Sequence, residues 1–131
     1  MGETVKNSVK NRIGAVFVIV NNMPRAVKWY RELLDLPNDD EFVNNTDPHI
    51  KTIYPISLEN TELLLDSMHR EEIKPSENHL FFFDTDNIEE TYQAMESKGV
   101  NILSPIEGDG GVKFFTIEDS EGNRIMFCEE K

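Results

Sequence analysis

The sequence predicts an α+β fold built from two tandem β-α-β-β-β modules, and three observations carry that prediction. Residues 78–100, NHLFFFDTDNIEETYQAMESKGV, read as one strand, one turn and one helix with hardly a position out of place. The same plan recurs at a constant offset, since Ile88, Tyr92 and Met95 lie 65 residues after Met23, Val27 and Tyr30. Half of the 131 residues would bury too little surface to be secure alone, so the two copies are expected to share one core.

Residues 1–11 are polar and are expected to form a loosely held tail ahead of a single domain over 12–131. Module one spans 12–66, a link spans 67–77 and module two spans 78–130. The apolar run at 13–20 predicts a strand, and the helix over 23–34 follows at once, with Pro24 tolerated in its first turn. Met23, Val27, Tyr30 and Leu34 form its apolar stripe. Asp35 falls where a helix-ending glycine would be comfortable, and Leu36-Pro37 prevents continuation. A weak strand is expected at 41–43, then a turn at 44–48, a strand over 50–58, a hairpin turn at Glu59-Asn60 and a partner strand over 61–66.

Module two repeats the order. The run Leu80-Phe81-Phe82-Phe83 is short, aromatic and bounded by polar residues, which predicts a strand covered on both faces. Asp86-Asn87 can cap a helix that starts at about Ile88, Glu89 and Glu90 suit its positive end, and Gly99 supplies a left-handed stop. Strands are expected at 100–103, 112–117 and 124–129, separated by turn-rich stretches at 107–111 and 119–123. One helix per module covers one side of a four-stranded sheet. The remaining faces must therefore meet each other or enclose something.

Composition narrows function. Thirteen Lys and Arg against 25 Asp and Glu give a net charge of −12, which excludes the clustered cations that phosphate contacts require. No apolar run approaches the roughly 20 residues of a membrane span, and the N-terminus lacks the apolar core of a signal peptide, so a cytoplasmic location is expected. The single Cys128 excludes an internal disulfide and a multi-cysteine zinc site.

Three segments carry a family resemblance: VIVNNMPRAVKWYRELLDLP in the first half, and FDTDNIEETYQAMESKGV with FFTIEDSEGNRIMF in the second. Together they resemble the vicinal oxygen chelate superfamily of glyoxalases, bleomycin-resistance proteins and extradiol dioxygenases, over about residues 13–129. Trp29-Tyr30 matches the family's paired aromatic. Asp119, Gly122 and Asn123 match its D-P-D-G-N turn, from which Ser120 and Glu121 depart. The resemblance implies two modules whose strands curve into an incomplete barrel around a central cavity, and a homodimer.

In metal-binding members of that superfamily, ligands come from the first and last strands of each module, and the metal polarises oxygens of the substrate. Carried over by position, the first-strand ligand falls on Ala15, which has no donor, and the last-strand glutamate falls on Met126, a poor ligand for a hard cation. The equivalent position in module two falls on Leu80, with His79 one residue away and able to turn inward only through a bulge. The remaining position falls on Glu62 by one alignment and on Leu63 by another. His79 and Glu62 are the metal candidates, while His49 and His69 read as surface residues.

If Ala15 and Met126 mark the inner face, then Phe17, Ile19, Leu80, Phe82 and Cys128 share it, giving an apolar cavity wall. Cys128 reads as a buried, inert thiol, and Gly108 to Gly111 as a cavity lid or a plain hairpin. The leading expectation is a protein that binds a small, mostly apolar ligand in this cavity without the full metal set and without cofactor. The alternatives are a divalent-metal-dependent lyase, isomerase or dioxygenase using His79 and Glu62, and an interaction module with a closed core.

Overall fold

The computed structural model describes residues 7–130. Its first half runs β1 (Ala15–Ile19), α1 (Met23–Leu33), α2 (Asp40–Asn45), β2 (Ile53–Ser57) and β3 (Glu62–Asp66). The second runs β4 (His79–Asp84), α3 (Ile88–Ser97), β5 (Asn101–Ile102), β6 (Glu107–Asp109), β7 (Val112–Glu118) and β8 (Arg124–Glu130). The strands form two sheets, ordered β1-β3-β2 and β4-β8-β7-β5, with β6 paired to β7. In each sheet the first and last strands of the module run parallel, with the module's helical segments between them in the chain. Two sheets without closure are the incomplete barrel that the sequence implied.

The two main helices form where the caps dictate. Asn22 accepts from the Arg25 amide and Asn87 from the Glu90 amide, so α1 and α3 each begin one residue after an asparagine. Gly99 (φ 74°) and Asp35 (φ 55°) adopt the left-handed conformation beyond the two C-termini. Most of the predicted stripes are buried: Met23, Val27, Tyr30 and Ile88 have no exposure and Met95 has little, while Tyr92 and Leu34, the latter just beyond the end of α1, are half-buried. They pack with Val18, Leu63, Leu65, Ile56, Phe115, Ile117, Ile125 and Phe127 into one core drawn from both halves.

Three expectations need correction. Residues 40–45 are a helix, not a strand at 41–43, because the Asp39 side chain accepts from the Phe42 amide and Phe42 packs on Tyr54 at 4.8 Å. Module one therefore has three strands. The aromatic strand β4 is covered on one face only, since Leu80 and Phe82 are 40% and 45% exposed while Phe81 and Phe83 lean on the core. The stretch 107–111, expected as a turn, begins with the short strand β6 and takes the plain-hairpin form, with Gly108 (φ 119°) opposite Lys113, where a Cβ would collide with the Val112 carbonyl. Among the described residues no helix is long and apolar enough to cross a membrane.

Phe115 is fully buried between the rings of Tyr92 at 5.0 Å and Phe127 at 5.3 Å. Phe115→Ala is expected to cost about 3–5 kcal/mol in denaturant unfolding, whereas Phe82→Ala should cost well under half as much.

Candidate functional site

The parallel and antiparallel registers fix which side chains share the face opposite the helices, because laterally paired residues point the same way. On the first sheet, successive rows are Ala15, Glu62 and Ser57; Phe17, Leu64 and Pro55; Ile19, Asp66 and Ile53. On the second they are His79, Arg124 and Glu118; Phe82, Met126 and Thr116; Asp84, Cys128 and Phe114. These rows are the inner faces of the open barrel. Leu63, which pairs with Val16, points into the core, so Glu62 is the residue that joins Ala15 on the inner face.

His79 reaches that face through a register shift in β4 between His79 and Phe82, the bulge its placement required. Its Nε2 lies 3.4 Å from Thr116 Oγ1. Leu80 sits within the shifted segment. Of the seven expected cavity residues, Phe17, Leu80 and Phe82 are exposed, Ala15 and Met126 are half-buried, and Ile19 and Cys128 are buried. Burial, with Glu130 and Asp84 nearby, pushes the Cys128 thiol above its ordinary value, which keeps it protonated and unreactive.

The four positions implied for a metal hold Ala15, Glu62, His79 and Met126. Two have no hard donor, and among the described residues no group of three or more His, Cys, Asp or Glu could hold a metal ion. At these four positions the side chains with donors suited to a divalent cation are those of Glu62 and His79. His69, read from sequence as a surface residue, is half-exposed and bound through Nδ1 to Asp66 at 2.7 Å, which raises its pKa; His49 is exposed.

Sequence reasoning missed a cleft of about 910 Å³ where the start of β1 and the end of β4 come together. Val16, Leu34, Leu36, Phe81, Phe83 and Phe127 form its apolar wall, with Arg12, Asp84, Thr85 and Thr91 at the polar margin. Phe82 lines this cleft and also stands on the inner face. The volume is within the range of small-molecule sites. No one-dimensional signal marked it, because its walls come from segments far apart in the chain.

The departures from the family turn also acquire a role. Glu121 accepts from the Asn21 and Asn22 amides at 2.9 Å and from Arg25 Nε at 2.8 Å, although α1 has no acid in its own first turn. Beside it, Asp119 accepts from the Tyr30 hydroxyl at 2.5 Å and from the Glu121 and Asn123 amides, and Asn123 Nδ2 donates to the Ile19 carbonyl at 2.9 Å. Burial would raise the Glu121 carboxyl, but Arg25, Ser120 and the two amides outweigh it and hold the group below the ordinary carboxylate range. At Asp119 burial prevails and the carboxyl is raised; burial and then Asp119 push the Tyr30 hydroxyl well up, so it stays a donor.

Comparison with known proteins places this geometry. The family model described as Glyoxalase/Bleomycin resistance protein/Dioxygenase superfamily matches residues 12–127. A superfamily member from Sphaerobacter thermophilus is similar at 19% identity and TM-score 0.71, over 92% of this chain and 98% of its own. TnmS3, an antibiotic binding protein from Streptomyces, is similar at 18% identity and TM-score 0.71, over 96% and 100%. Lactoylglutathione lyase from Agrobacterium tumefaciens is similar at 16% identity and TM-score 0.67, over 92% and 94%. No curated protein matches the sequence significantly.

A carboxylate held below its ordinary pKa stabilises the fold above the unfolded carboxylate range and loses that contribution as pH falls through the folded value. Glu121→Gln should therefore cost about 2 kcal/mol at pH 7, and the gap to the unsubstituted protein should close as unfolding is measured at progressively lower pH. The comparison at each pH removes the opposite contribution of Asp119.

Proposed function

The chain belongs to the Glyoxalase/Bleomycin resistance protein/Dioxygenase superfamily, and from that premise we propose that it is a cytoplasmic binding protein for a small, mostly apolar molecule, acting as a homodimer without a metal. The observation that carries this reading is the uncovered inner face. Phe17 is 54% exposed, Phe82 45% and Leu80 40%, on sheets whose other side is a packed core. Large apolar side chains left in water together on one sheet face mark a surface that a ligand or a second chain covers. Phe82 joins this face to the neighbouring cleft, so a ligand can run from one into the other.

Packing supplies the affinity in such a site and a few polar groups set orientation. Arg12, Thr85 and Thr91 at the cleft margin and His79 and Thr116 on the inner face are the polar groups available. The antibiotic-binding neighbour supports sequestration as the role. The inner faces of one chain form an open wall, and a second copy would supply the opposite wall, which is how the reading accounts for the dimer.

A second reading has one observation in its favour: the β4 bulge puts His79 on the inner face, the side that Glu62 also takes. It is a divalent-metal-dependent lyase, isomerase or dioxygenase. The two readings separate by melting temperature. Chelator-treated protein is expected to melt unchanged on addition of nickel, zinc, manganese or anaerobic ferrous iron. A metal at a hundredfold excess over its Kd would stabilise by roughly 2.7 kcal/mol, and such a rise, lost in His79→Ala, would overturn the metal-free reading. Separately, N-phenylnaphthylamine, a neutral apolar fluorophore, should bind at least about fivefold more weakly to Phe82→Ala than to the unsubstituted protein.

A further inference from the structure

The inner face of the second sheet is electrically lopsided. Its first row carries Arg124 between His79 and Glu118, the next is Phe82, Met126 and Thr116, the third is Asp84, Cys128 and Phe114, with Asp84 at the edge about four residues' rise from Arg124, and the last ends on Glu130. Arg124 and Glu130 are six residues apart on β8, roughly 20 Å at strand rise. That separation exceeds a Debye length of about 8 Å, so the acid at the far end does little to neutralise the cation.

Arg124 is exposed, and among the described residues its guanidinium forms no ion pair or hydrogen bond. Its lateral neighbour Glu118 accepts instead from Asn101 Nδ2 at 3.0 Å. On the other side, His79 stands about 4.8 Å away across the parallel pair, a strand spacing. His79 Nε2 is within 3.4 Å of Thr116 Oγ1, which leaves Nδ1 without a protein partner among the described residues. A fork of guanidinium donors, an imidazole and a hydroxyl thus meet at the edge of an aromatic wall, in a protein otherwise rich in acids.

We propose that Arg124, with His79 and Thr116, is an oxyanion-recognising end of the binding face, and that the ligand is an apolar ring system carrying one carboxylate or comparable acidic group. The proposal rests on the binding function above and names its ligand class. Guanidinium matches a two-oxygen acid in plane and can bind it through two parallel hydrogen bonds. The acidic group takes the Arg124 row, and the rings lie along Phe82 and Met126 toward the cleft. The shape of the face sets the order: a neutral apolar molecule gains only the second part, and a small acid without rings only the first.

Two fluorescent probes with the same rings test this. Anilinonaphthalene sulfonate carries one oxyanion; N-phenylnaphthylamine carries none. In Arg124→Gln, sulfonate binding should weaken roughly tenfold while the neutral probe is unchanged. His79→Gln should act in the same direction. Lys113→Gln removes a cation from the opposite side of β7 and should change neither, which separates a local contact from the overall field. If Arg124→Gln weakens both probes equally, or neither, the acid-binding end is overturned and the apolar site stands. If Phe82→Ala leaves both probes bound at full strength, the binding face itself is wrong.

Discussion

The structure depends on a carboxylate that one half of the chain places at a helix end belonging to the other. Glu121 sits in the turn before β8, yet its oxygens receive the amides of Asn21 and Asn22 and the side chain of Arg25. The start of α1 has no acid of its own to offset its exposed amides and the positive end of its dipole. Asp119 and Asn123 extend the same clamp to Tyr30 and the end of β1. The modules therefore meet through satisfied polar groups as well as through packing, and neither module completes its own interior.

That junction determines where the open surfaces lie. With helices and clamp gathered on one side, each sheet leaves its inner face uncovered, and the alternation along β1 and β4 puts Phe17 and Phe82 there while Val18 and Phe83 turn toward the core. The same geometry explains why a cleft opens beside Phe82: β1 begins where β4 ends, and the cleft is lined by the aromatics of β4 on one side and by Val16, Leu34 and Leu36 on the other. Site and scaffold are the two faces of the same strands.

The sequence disclosed the repeat, both main helices and their caps because each is a local pattern with a local cause. It disclosed less wherever the cause is distant. The strand expected at 41–43 rested on Phe42 and Val43, and the capping side chain of Asp39 outweighed them, a signal present in the letters but short. The covering of β4 was misjudged because a continuous aromatic run looks the same whether one face or both are buried. His79 illustrates the limit most directly: its side depends on a bulge, and a bulge is a difference of one residue between two strands 45 positions apart in register, Arg124 opposite His79. Glu121, which departs from the family turn, carried a visible oddity without a visible partner, since Arg25 lies 96 residues earlier.

The distance between these partners has a consequence for how the chain acquires its form. The clamp joins residues separated by 89 to 104 positions, most of the described length. The helix α1 packs on β3 and α2 of its own module, so its apolar stripe has local partners, while the carboxylate that satisfies its first amides lies about a hundred positions later in the chain. Joining the two is a long-range closure whose loop entropy slows that step of folding.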